Sequence, residues 1–188
     1  MQTLRIFISS PGDVADERQI AGKVIERLQG KYWSFVRLDD VFWEQKVIRS
    51  TAHYQDELVN PGECEMVVGI LWSRLGSLMP EKFRKASGER YDSGTEWELE
   101  MAFEAYEQSL VRTGDPIAAK PDIVIYRRNQ QSPRFVDPEQ EAQAVAQITR
   151  LDAYFRENYW FPDGTIKRPI THYSTLDEFE SVLSRNLE

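Results

Sequence analysis

The stretch 91–102, YDSGTEWELEMA, places Glu96, Glu98 and Glu100 beside Ser93, Thr95 and Trp97 where a helical pattern begins. Carboxylates suit a helix start because they face its unpaired N–H groups and the positive end of its dipole. That accounts for acids here in general and leaves open whether one of them does more. At about 100° per residue, Glu96, Glu100, Glu104 and Glu107 fall on one side of the helix, and Leu99, Phe103, Tyr106 and Leu110 form an apolar arc. Glu98 belongs to neither set. Its stripe continues as Ala102, Ala105 and Ser109, small residues that let a helix lie close to a neighbour. Two readings stay open. Thr95 to Glu98 matches a capping box, in which the Glu returns a hydrogen bond to the N-cap N–H. Alternatively, Glu98 is a carboxylate held at a crevice for chemistry.

A second segment, FISSPGDVADER (7–18), ends an apolar run with Ser9, Ser10, a Pro-Gly turn and Asp13 before another helical pattern. One reading is a strand-to-helix turn with Ser10 or Asp13 as N-cap. The other is a loop whose N–H groups and hydroxyls meet a phosphate or ribose at a helix start. The sequence contains neither GxxxxGK[ST] nor GxGxxG, so the familiar NTPase and dinucleotide loops are not supported. Trp43, Trp72, Tyr91 and Trp97 are candidates to stack on an aromatic base or to serve as core. His53, His172 and Cys64 have no metal-ligand spacing, and no nucleophile elbow is present.

These residues need a frame. The chain has 188 residues, 41% of them hydrophobic and 29% charged, which fits one globular domain over 1–188. A net charge of −8 points away from nucleic acid and anionic membrane as partners. The lone Cys64 excludes an internal disulfide and fits a reducing compartment. No apolar leader follows Met1, and the longest apolar run, Met66 to Trp72, is too short to cross a bilayer, so a cytoplasmic protein is expected. The terminal pattern TLDEFESVLSRNLE runs helically to the last residue, suggesting the N-terminal part of a longer protein.

Short β-branched runs alternate with longer helical ones, which predicts βαβ units on a parallel sheet. Strands are expected at Leu4 to Ser9, Phe35 to Asp39, Met66 to Trp72, Asp122 to Tyr126 and Ile170 to Tyr173. Helices are expected at about Ala15 to Leu28, Thr95 to Leu110, Pro138 to Glu157 and Leu176 to Leu187. The simplest arrangement is a flavodoxin-like α/β three-layer sandwich with a five-stranded parallel sheet ordered 2-1-3-4-5. Ligands in such folds bind at the carboxyl ends of strands 1 and 3, to which Ser9 and the approach to Glu98 both lead. Two connections are long, Trp43 to Glu65 (with a short helical pattern at Tyr54 and Leu58) and Ser73 to Gly94, the latter charged and expected to be mobile.

FISSPGDVADER, the third strand ending in Trp-Ser, and SGTEWELEMA together resemble the TIR-like domains at the N-termini of bacterial STAND and NLR-like defence proteins. The likeness spans essentially the whole chain. The GT-x-aromatic-E-x-x-x-A pattern also resembles nucleoside 2-deoxyribosyltransferases, which use a Glu there to break an N-glycosidic bond. The resemblance implies that Glu98 is the catalytic carboxylate and that Ser9, Ser10, Asp13, Trp72 and Trp97 are pocket residues. NAD would be the substrate, with no cofactor and no metal. It further implies activation by self-association, governed by C-terminal sensor or NTPase domains of the same chain. Where typical TIR domains carry a Trp-Cys pair four and three residues before the Glu, this sequence has Gly94 and Thr95, with Trp97 adjacent to Glu98. The alternatives are a non-catalytic TIR-like interaction module and a nucleoside or nucleotide N-glycosidase or deoxyribosyltransferase.

Overall fold

The computed structural model describes residues 2–41, 59–129 and 133–188. Five strands, β1 (Gln2–Ser9), β2 (Val36–Val41), β3 (Met66–Leu71), β4 (Asp122–Arg128) and β5 (Thr171–Tyr173), form one sheet. Its order is β2-β1-β3-β4-β5 and every pairing is parallel. Helices α1 (Ala15–Tyr32), α2 (Gly94–Thr113), α3 (Pro138–Tyr159) and α4 (Leu176–Leu187) cover the two faces, giving the flavodoxin-like three-layer sandwich.

The layers follow from the two-residue period of the strands. Ile6, Ile8, Val68, Ile70 and Tyr126 point to a core shared with α1 and α4, through Val24, Leu28, Phe179 and Leu183. Phe7, Val67, Leu71 and Ile125 point the other way, to Leu99 and Ala102 of α2 and Leu151 and Phe155 of α3. A strand buried on both faces must be apolar at every position, and β3 is: all its residues after Met66 are buried.

Helix α2 runs past its expected end to Thr113, where Gly114, at φ 68, closes it by donating its N–H to Leu110 O at 2.8 Å. Most of the connection expected to hold a helical pattern at Tyr54 and Leu58 lies outside the described residues, as does Trp43. Its described end carries a short turn at Pro61–Glu63. Among the described residues no helix is long and apolar enough to cross a membrane.

Candidate active site at the carboxyl edge of the sheet

Ser9 ends β1 on the face covered by α2, level with Gly69 of β3. Gly69 makes room for the helix. A Cβ there would lie 2.7 Å from Ile125 Cδ1 and 3.2 Å from Leu99 Cδ2, so a larger residue would push α2 off the sheet. The stripe of small residues has the same effect further along. Ala102 is fully buried, Ala105 packs against Gly62, and the buried Ser109 hydroxyl accepts from Lys120 N at 3.2 Å. Close packing of α2 brings Glu98 onto the carboxyl end of β1.

The Glu98 side chain is 4% exposed, and its Oε2 accepts a hydrogen bond from Ser9 Oγ at 2.7 Å. Among the described residues no Lys or Arg forms an ion pair with it. Loss of hydration disfavours the charged form and pushes the carboxyl from 4.5 up to about 8, with the Ser9 bond acting in the other direction. At neutral pH the group therefore rests mainly as the neutral acid. A cation arriving within a few ångströms would favour the carboxylate and release the proton. Such a group is suited to meet developing positive charge in a dry site.

The capping role belongs to other residues. The N-cap of α2 is Ser93, not Thr95: Ser93 Oγ accepts from Glu96 N at 3.0 Å, and Glu96 Oε2 reaches back to accept from Asp92 N at 2.6 Å. Ser93-Gly-Thr-Glu96 carries the same capping signature two residues earlier in the chain. The expected Thr95–Glu98 capping box is thus not formed, and Glu98 is left over from helix capping. The side of the helix shared by Glu96 and Glu100 is not fully solvated. Glu96 is buried and pairs with Lys85 at 2.7 Å, and Glu100 is half-buried, its carboxyl raised chiefly by burial.

The remaining candidates are dispersed along the same edge. Ser10 points to the α1 side, where its Oγ accepts from the buried Arg18 at 3.2 Å. Asp13 does not cap α1, which begins after a tight turn at Gly12–Val14 without a side-chain cap. Its Oδ2 instead accepts from Ser73 N at 2.9 Å and Ser73 Oγ at 2.8 Å, joining the loop after β1 to the loop after β3. Trp72 packs against the α1/α4 core with the Arg128 guanidinium 4.3 Å above its ring, on the face opposite Glu98. Trp97, next to Glu98, meets Phe83 edge-on at 5.6 Å. Only Ser9, of the five expected pocket residues, is bonded to Glu98. Ser73 was not anticipated, although it stands two residues after β3 in the loop that leaves the same sheet edge as Ser10 after β1.

The segment 73–93 is anchored at a few points. Leu75, Met79 and Tyr91 are buried, and Arg84 bridges to Arg90. Gly76 adopts φ +125, and a Cβ on it would stand 3.1 Å from that of Ser93, so the segment folds directly over the start of α2. Elsewhere, His172 Nδ1 bonds Asn129 Oδ1 at 2.9 Å and Cys64 is buried and free.

A search of curated proteins found no match to this chain. A family profile does match it over residues 5–188, from the first strand through the last helix, and the chain therefore belongs to the family described as a domain of unknown function, DUF4062.

Proposed function

We propose that the chain is a TIR-like effector domain that cleaves the N-glycosidic bond between ribose and nicotinamide in NAD, with Glu98 as the catalytic carboxylate. The observation that carries the reading is a buried carboxyl with no cationic partner among the described residues and no capping duty, held by Ser9 at the carboxyl edge of the sheet. In the reaction the C1′–N bond breaks with its electron pair passing to the pyridinium nitrogen. Nicotinamide leaves neutral, so no strong general acid is needed. The carboxylate balances the charge on the ribosyl oxocarbenium, and water completes the hydrolysis by adding to C1′ and losing a proton. The cationic pyridinium is itself a group that would favour ionisation of Glu98. In this proposal the protein works in the cytoplasm, and self-association opens the edge to substrate.

A second reading, a non-catalytic interaction module, is favoured by the 4% exposure of Glu98, since substrate must open the edge to reach it. One experiment separates them: nicotinamide release by artificially clustered wild type, Glu98→Gln and Glu157→Gln. Glu157 is an exposed acid on α3 and serves as the matched control. The enzymatic reading expects turnover in wild type and Glu157→Gln and a loss of orders of magnitude in Glu98→Gln. Equal release by wild type and Glu98→Gln would remove Glu98 from catalysis, and no release by clustered wild type would favour the interaction module.

A further inference from the structure

A cavity of about 370 Å³ opens beside the Asp13–Ser73 link, lined by those two residues with Arg74, Phe135, Gln143 and Gln147, among others. It lies at the carboxyl ends of β1, β3 and β4, between the loops that follow them and the first half of α3. In sheets of this order the crevice at the β1/β3 switch point is where ligands bind, because the connections leave in opposite directions there. The Asp13 side chain crosses that point.

Its polar atoms are poorly matched by the protein alone. Asp13 Oδ2 is taken up by Ser73, but Asp13 Oδ1 is buried with no hydrogen-bond partner. Arg74 Nε and Gln147 Oε1 are likewise buried and unpartnered. Buried polar groups are nearly always hydrogen-bonded, and three orphans on residues that line one cavity mark a place where something else supplies the partners. The set is two acceptors and one donor, so the missing partner carries at least two donors and an acceptor. The walls combine one carboxylate, one guanidinium and neutral amides with the half-exposed ring of Phe135.

We infer that this cavity binds the ribonucleoside portion of a nucleoside, nucleotide or dinucleotide. A ribose diol donates to Asp13 Oδ1, a base N–H donates to Gln147 Oε1, a ring nitrogen or carbonyl accepts from Arg74 Nε, and the base face lies on Phe135. The volume sits at the small end of ligand pockets and holds one such unit. The site is fixed to the same loops that flank Ser9 and Glu98. It would therefore recognise the part of the proposed substrate away from the scissile bond, but binding here does not require Glu98 to be catalytic.

The test is direct binding to the 188-residue chain, by calorimetry or chemical-shift titration, of adenosine, 2′-deoxyadenosine, AMP, NAD and inorganic phosphate, with no turnover measured. Saturable binding of adenosine, AMP and NAD is expected, with 2′-deoxyadenosine weaker by roughly tenfold for the lost hydrogen bond. Gln147→Leu should weaken all three by a similar factor, and Asp13→Ala, which removes the acceptor, should abolish the preference for the 2′-hydroxyl, with melting temperatures recorded to confirm folding. The proposal is overturned if no nucleoside or nucleotide saturates at millimolar concentration, which would leave the three atoms to water. It is equally overturned if phosphate alone binds, if the deoxy sugar binds as well as the ribose, or if folded variants bind as wild type does. Binding without NAD turnover upholds this site and counts only against catalysis by Glu98.

Discussion

Glu98→Gln should change how stability depends on pH, whatever the domain catalyses. In the folded chain burial holds the carboxyl at about 8 instead of 4.5. Below the unfolded value both states are protonated and the folded chain loses nothing. Between the two values the unfolded chain releases the proton and the folded chain keeps it, so stability falls as pH rises, levelling off once the folded group also ionises. At about 1.4 kcal/mol per unit, the gap corresponds to about 5 kcal/mol in full. About 2 to 3 kcal/mol of this is lost between pH 5 and pH 7, and about 4 by pH 9. Gln keeps an acceptor for Ser9 Oγ but cannot ionise. Urea unfolding of both proteins at pH 5, 7 and 9 therefore should find Glu98→Gln close to wild type at pH 5 and progressively more stable than it above. Taking the difference between the two proteins cancels the other titrating groups, including the half-buried Glu100. A difference that stays constant within about 0.5 kcal/mol across this range would show that Glu98 is not held in a desolvated site, and the chemical argument built on it would fall.

Substitutions at three further positions test how the edge is held. Glu17, 1% exposed, accepts from Arg128 and from Tyr173 Oη, each at 3.0 Å. Arg128→Leu should cost about 3–5 kcal/mol because it leaves a buried carboxylate without its cation, whereas Tyr173→Phe should cost about 1 kcal/mol; equal costs by chemical denaturation would refute the ion-pair account. Ser93→Ala should cost about 1 kcal/mol and Ser93→Gly only a few tenths, as for an N-cap, while an alanine variant as stable as wild type in thermal melts would return the cap to Thr95.

Much of the fold was legible in the residues themselves, because the determinants are local. The run 66–72 is apolar throughout, which only a strand covered on both faces tolerates, and the alternation of short β-branched runs with four-residue apolar spacing led to a parallel sheet in the order observed. The candidate carboxylate was legible for a related reason: at helical spacing Glu98 falls in line with Ala102 and Ala105 and not with the other acids, and a helix buries its small-residue stripe. Which residues meet at the edge depended on three-dimensional placement. Ser9 and Ser10 are chemically the same in the sequence, yet the pleat sends one to Glu98 and the other to Arg18. Trp72 faces away from Glu98 for the same reason. Asp13 pairs with Ser73 across 60 residues, and a capping signature fits Ser93 and Thr95 equally until Gly76 folds over the helix start. Spacing along the chain determines which face a side chain takes within its own element. Only the packing of one element on another determines what that face meets, and the burial of Glu98 is a property of that meeting.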